Sequence, residues 1–306
     1  MDLLPTPEQD EITASIQAVL TDRHTLGQPM SDELWTAAAD QGWFGLGMSE
    51  DRGGVGYTIV EEALLCIELG RGCVPGPFVG TILASAALEA DLRAQIISGE
   101  RRVGLAERLG DGYRILDGES GGLAVLLDEM VLGEIGELSA EPCLDPLTSL
   151  GTTSEWRDVD EAGDGDRATL LIAATLAGLA AATTVQSVSY GMDREQFGQP
   201  VGGFQAVKHR CADMAVKSES ALTQVHYAAI AFHDGQHDDH RFQIEAAAVV
   251  AARAAVENAE INIQNHGGIG FTLEHTAHRY VTRARVLAGL RGGLRTHLAD
   301  LLAQPV

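Results

Sequence analysis

The chain has 306 residues and carries 44 acidic against 21 basic side chains, a formal charge of −23, with 45% apolar and 5% aromatic content. A field of that sign argues against nucleic acid and anionic membrane as partners, and an anionic ligand needs a local basic patch to overcome it. The length suggests two or three domains, and apolar residues drawn mostly from Ala, Leu and Val suggest helices.

The N-terminal MDLLPTPEQDEI has no basic n-region, no apolar h-region and no Arg-rich transit pattern, so a cytoplasmic location is expected. TPEQ (Thr6 to Gln9) reads as a capping box with Pro at the first helical position, and Ile12, Ile16, Val19 and Leu20 supply a one-sided stripe. A second helix is expected from Ser31 to near Gly42. The glycine-rich SEDRGGVGYT follows, then a helix from Thr58 to Gly70 with Thr58 and Glu61 as its box. GGVGYT is no dinucleotide fingerprint, since no strand precedes it. VPGP breaks the chain before FVGTILASAALEADLRAQIISG resumes helix. Residues 1–100 thus read as a helical domain.

Residues 101–160 change character: short apolar runs separated by Gly and Asp predict strands and turns. Roughly sixty residues is little for an elaborate barrel at ordinary strand lengths. From 161 to 306 the chain is helical again, with helices expected over 166–191, Phe204 to His233 and Gln243 to Asn265, then shorter ones. ATLLIAATLAGLAAATTVQSVSYGM (Ala168 to Met192) is long enough to span a membrane. Its Thr, Ser and Gln residues favour instead a helix buried inside a bundle, where Ala and Gly allow close approach. Cys66, Cys73, Cys143 and Cys211 form no CxxC pair or zinc-like spacing and are expected as reduced thiols.

Two short pieces carry chemistry. In REQFGQP, Arg194 can meet a diphosphate with bidentate hydrogen bonds while Gly198 turns the chain toward the next helix; a surface arginine before a helix break is the alternative. In QNHGGIGF (Gln264 to Phe271), two adjacent glycines let backbone approach a ligand and Gln264 can bond polar edges; a helix C-cap is the alternative. FHDGQHDDHR gathers His233, His237 and His240 with Asp234, Asp238 and Asp239, which suits a divalent metal, although a solvated loop is the favoured reading, and no metal is expected. Arg279, Arg283, Arg285, Arg291 and Arg295 form a basic stretch that suits an acidic partner surface or CoA phosphates, or simple helix C-terminus compensation.

In this order, REQFGQP and QNHGGIGF closely resemble the C-terminal domain of the acyl-CoA dehydrogenase flavoprotein family. The resemblance extends through GGFQAVKHRCADM, HRYVTRARV and the N-terminal DQGWFGLGMSEDRGGVGYTIVEEALLCIELGR. It implies a mainly α fold: an N-terminal helical domain, a middle β domain, shortened here, and a C-terminal four-helix bundle, assembled as a dimer of dimers with FAD at a subunit interface. It further implies that Arg194, Gln196, Phe197, Gln205, Gln264, Gly267 and Gly268 hold the adenine-diphosphate half of an FAD whose flavin sits in the neighbouring subunit.

The departures matter as much. The family removes an α-proton with a glutamate, placed near the start of the helix before the arginine turn or in a loop after the RARV motif. Those positions fall here on Ala168 and near Arg291, and no Asp or Glu lies between Glu274 and Asp300. Asp164 and Asp166 are the weak candidates for a displaced base. The middle region, whose single tryptophan is Trp156, lacks the family's ring-holding segment. The expectation is a subunit without its own base that clamps FAD in trans for a catalytic acyl-CoA dehydrogenase chain, in an α2β2 assembly. That pattern resembles heteromeric enzymes of actinobacterial steroid catabolism, acting on CoA thioesters of sterol side chains. The alternatives are a self-sufficient dehydrogenase using Asp164 or Asp166, and a flavin-free scaffold or acyl-CoA-binding subunit.

Overall fold

The computed structural model describes residues 4–235 and 240–304, and the chain divides into two compact units. One comprises Pro5–Leu65 and Val74–Leu171; the other comprises Cys66–Cys73 and the residues from Ile172 onward. The fold is mainly helical: an N-terminal helical domain, a middle β-sheet and a C-terminal helical domain. None of the four cysteines forms a disulfide.

In the first unit, helix α1 (Pro7–Arg23) starts on a complete capping box, with Gln9 N donating to Thr6 Oγ1 at 3.2 Å and Thr6 N to Gln9 Oε1 at 3.0 Å. Helix α2 (Asp32–Asp40) is capped by Ser31 and brings Trp35 against Phe44 and Phe78, at ring-centroid distances of 4.3 and 5.2 Å. Helix α3 (Ile59–Arg71) begins where Thr58 N donates to Glu61 Oε2 at 2.9 Å. The expected single helix over 78–99 is two, α4 (Phe78–Ala84) and α5 (Ala90–Ile97). Local propensity does not decide the break. Arg52 donates to the carbonyls of Ala86 and Ala87, Arg93 to those of Ala87 and Leu88, and the Glu89 carboxylate caps α5.

Seven strands follow: β1 (Val103–Leu109), β2 (Gly112–Leu116), β3 (Leu123–Leu126), β4 (Val131–Ile135), β5 (Ser139–Ala140), β6 (Leu150–Thr153) and β7 (Trp156–Glu161). They form one sheet in the order β5-β6-β2-β1-β3-β4-β7, in which only the β1–β3 pair is parallel. Ala106, Ile115, Ala124, Leu126 and Ile135 make a buried cluster on it, with Tyr113 and Trp156 packed alongside. Trp156 lies against Gly133, where a Cβ would come within 2.2 Å of the indole, and it stacks on Tyr113 at 4.9 Å. It is a sheet-packing residue. Helix α4 docks on β1 through Thr81, whose Oγ1 accepts from Val103 N at 3.0 Å.

Helix α6 (Gly165–Asp193) has the length and apolarity of a membrane span, but 89% of its most apolar window is buried in the protein, as the bundle reading requires. In the second unit Gly178 of α6 faces the end of α3 so closely that a Cβ there would lie 2.0 Å from Ile67 O. Helices α7 (Gln205–Asp234), α8 (His240–His266), α9 (Ala277–Leu287) and α10 (Gly293–Ala303) complete that unit. Its interior is tied by polar pairs, among them Ser187 Oγ to Asn262 Oδ1 at 2.8 Å and Asn258 Nδ2 to Met214 O at 2.9 Å.

Candidate functional site

The two motifs of the C-terminal half meet in space. After α6 ends, β8 (Glu195–Gln196) and β9 (Gln199–Pro200) form a tight antiparallel hairpin, pairing Gln196 with Gln199. Phe197 (φ +54°) and Gly198 (φ +81°) are its two turn residues. A two-residue hairpin turn of this kind needs positive φ at both positions; glycine supplies it freely and phenylalanine only under strain. Val201 N closes the turn on Arg194 O at 2.7 Å. The hairpin therefore throws Phe197 outward, 92% exposed, with Arg194 and Gln196 exposed beside it.

The other wall is the end of α8. Gly267 has a positive φ (+62°) and ends the helix, and a Cβ at Gly267 or Gly268 would meet nothing within 4 Å. These glycines leave backbone open toward a ligand. Gly270 differs, being packed with its virtual Cβ 2.5 Å from Ile263 O.

Between the walls lies a cavity of about 690 Å³. It is lined by five of the seven residues expected to hold cofactor, namely Arg194, Gln196, Phe197, Gly267 and Gly268. Gln205 and Gln264 are exposed and do not line it. Each is two residues from a helical residue that does, Val207 and His266, and two residues turn an α-helix by about 200°, to its opposite side.

The other seven lining residues were not foreseen, and four of them, Tyr190, Phe204, Asn265 and His266, are aromatic or polar. Phe204 sits edge-on to Phe197, with centroids 6.2 Å apart at 87°. His266 contacts Tyr190 and His275, each at 4.3 Å between ring centroids. Burial pushes the His266 pKa below the ordinary 6.5, against a smaller upward effect of the Asn262 carbonyl. The His275 pKa is lowered by burial, then by repulsion from His266 and His278. Asn265 Nδ2 reaches the sulfurs of Cys211 (3.8 Å) and Met214 (3.7 Å), and burial raises the Cys211 thiol pKa.

The remaining sequence candidates lie elsewhere. Asp164 Oδ1 accepts from Asp166 N at 2.8 Å, the arrangement of a helix cap at the start of α6. Ala168 is fully buried in α6, and Arg291 occupies a turn with φ +54°. Of the histidine–aspartate cluster, His237, Asp238 and Asp239 fall outside the described residues. Arg285 of the basic stretch pairs with Glu260.

An exposed guanidinium, open glycine backbone and an aromatic-lined interior fit the adenosine and diphosphate half of a dinucleotide: charge for the phosphates, rings for the base. Comparison with known proteins identifies the family. Residues 166–304 match the acyl-CoA dehydrogenase C-terminal domain, and residues 6–91 match the acyl-CoA dehydrogenase N-terminal domain. Acyl-CoA dehydrogenase IpdE2 of Mycolicibacterium smegmatis is 30% identical over 97% of this chain and 99% of its own length. Acyl-CoA dehydrogenase FadE34 of Mycobacterium tuberculosis is 34% identical over 85% of this chain, which spans only 40% of FadE34. Among solved structures, the ChsE4–ChsE5 complex from Mycobacterium tuberculosis aligns over 100% of both chains with a TM-score of 0.80 at 21% identity. The Tcur3481–Tcur3483 steroid ACAD aligns over 96% of each chain with a TM-score of 0.79 at 23% identity.

Proposed function

The chain belongs to the acyl-CoA dehydrogenase family, and we propose that it is a cytoplasmic, non-catalytic subunit of a heteromeric, FAD-dependent enzyme that desaturates acyl-CoA thioesters, sterol-derived ones in particular. The observation that carries this reading is the cavity that gathers Arg194, Gln196, Phe197, Gly267 and Gly268. Arg194 would hold the diphosphate, the glycine backbone would border it, and the aromatic rings would take the base. FAD, when bound, supplies the hydride acceptor for the reaction. The α-proton needs a carboxylate, and the two positions that the family resemblance assigns to it fall on buried Ala168 and near Arg291, in a stretch without Asp or Glu. Asp164 has a capping role already. The base and the ring-holding segment would therefore come from a second, catalytic chain.

A partner surface is available on the same unit. Val185, Val188 and Met192 share one face of α6 at i, i+3 and i+7 spacing, and they are exposed together with Phe197, Phe271 and Leu273. Exposed apolar side chains grouped in this way mark interaction surfaces. The fold neighbours include a two-component complex and a steroid enzyme, which supports a heteromer and that substrate class.

The test is to tag the chain in its native host, isolate it gently, and measure flavin per chain together with any co-purifying protein. About one flavin per two chains, with a larger acyl-CoA dehydrogenase-like partner, is expected, and Arg194→Ala should empty the assembly of flavin. One flavin per chain without a partner, or unchanged flavin in Arg194→Ala, would refute it.

A further inference from the structure

We propose that His266 reads the base held in this cavity: its unpartnered ring nitrogen accepts a hydrogen bond from an exocyclic amine, so the cavity selects an aminopurine over an oxopurine. The proposal rests on the cofactor reading above and names a specificity residue within it.

The tautomer follows from the geometry. His266 Nδ1 lies 2.7 Å from Asn262 O, and a backbone carbonyl can only accept, so Nδ1 carries the proton. In the neutral ring Nε2 is then an acceptor. No protein donor reaches Nε2, and it is not walled off inside the fold; the ring, only 4% exposed, lines the cavity. Burial favours this neutral form. The ring is fixed by contact with Tyr190 and His275 and by the Asn262 bond, so the acceptor has a defined direction.

The neighbouring Asn265 spends its amide N–H on two sulfurs, and its Oδ1 is walled off inside the fold, so His266 Nε2 is the acceptor this wall offers a ligand. A wall with an unmet acceptor and aromatic rings calls for a flat ligand that brings an N–H group. An adenine amine does so. An oxo group at that position sets acceptor against acceptor, which leaves both without the hydrogen bond that an amine would make.

The experiment is calorimetric titration of the full-length chain with ADP and with IDP, repeated on His266→Phe, which keeps an aromatic ring and removes the acceptor. ADP is expected to bind about tenfold more tightly than IDP, and His266→Phe should weaken ADP by about that factor while sparing IDP. Equal binding of ADP and IDP by the unsubstituted chain would overturn the proposal and leave the cofactor reading intact. So would a variant that weakens both nucleotides equally, since His266 would then act on a group the two share. If neither nucleotide binds, the cavity is not a nucleotide pocket and the cofactor reading fails as well. Should His266→Phe not fold, the ADP-to-IDP ratio of the unsubstituted chain still decides.

Discussion

Gly178→Ala puts the packing of α6 to a direct test. A Cβ at this position would lie 2.0 Å from Ile67 O and 2.9 Å from Arg71 N, both backbone atoms of α3. The opposing glycine is equally tight, since a Cβ on Gly70 would lie 2.0 Å from Thr175 O. No side chain can rotate away, so the helices must separate by roughly 1 Å to restore an ordinary carbon–oxygen contact. Such overpacking costs typically about 1–3 kcal/mol and more where backbone is the obstacle. Alanine returns about 1 kcal/mol of helix propensity over glycine. The net expectation is a loss of about 2 kcal/mol, read as a lower urea midpoint with an unchanged slope. Gly268→Ala is the control, because its added methyl meets nothing within 4 Å. A Gly178→Ala protein as stable as the parent would show that α3 and α6 do not touch backbone to backbone.

Other outcomes follow from the same structure. Arg167→Met strands the Glu62 carboxylate, which is 2% exposed and now receives Arg167 Nε at 2.9 Å and Nη2 at 2.6 Å; a loss of about 3–5 kcal/mol in urea unfolding is expected, largely recovered by adding Glu62→Leu. Phe197→Ser removes a fully outward ring, so stability should stay within about 0.5 kcal/mol while flavin content and partner retention fall in the isolated assembly. His226, His266 and His275 all have pKa values lowered from 6.5, with burial as the leading cause. The unfolded chain therefore binds more protons than the folded one below that value. Stability is full above pH 6.5 and declines as pH falls through the depressed folded values, and urea midpoints measured down to about pH 5 should show a slope that His266→Phe reduces.

What could be read from the sequence was what is local. The Thr6 and Thr58 caps, the Ser31 start and the limits of α6, α7 and α8 depend on neighbours within four residues, and all appear within a few residues of expectation. The break between α4 and α5 escaped because its carbonyls are satisfied by Arg52, more than thirty residues earlier in the chain. The parallel β1–β3 pair escaped for a similar reason, since strand order is set by tertiary packing and not by strand composition. In the site, Arg194 and the glycines were legible as motif residues. The contact of Tyr190, His266 and His275 was not, because three rings from separate elements leave no shared spacing to detect.

The cavity has an exposed lip and a buried floor, and the two halves bear differently on the choice between a cofactor site and an inert scaffold. Floor residues such as Asn265 and His266 are buried and hydrogen-bonded, so a scaffold would keep them for stability alone. The lip has no such excuse. Phe197 holds a left-handed backbone conformation that costs a non-glycine residue roughly 1–2 kcal/mol, and with 92% of its surface in solvent it recovers almost none of that through burial. Strain that packing does not repay points to a purpose outside the folded chain. Phe197→Gly separates the cases: it relieves the strain at a turn glycine suits, so the isolated chain should become more stable by up to about 1 kcal/mol in urea unfolding. A cofactor site shared with a partner loses flavin in the same variant, whereas an inert scaffold gains stability and loses nothing.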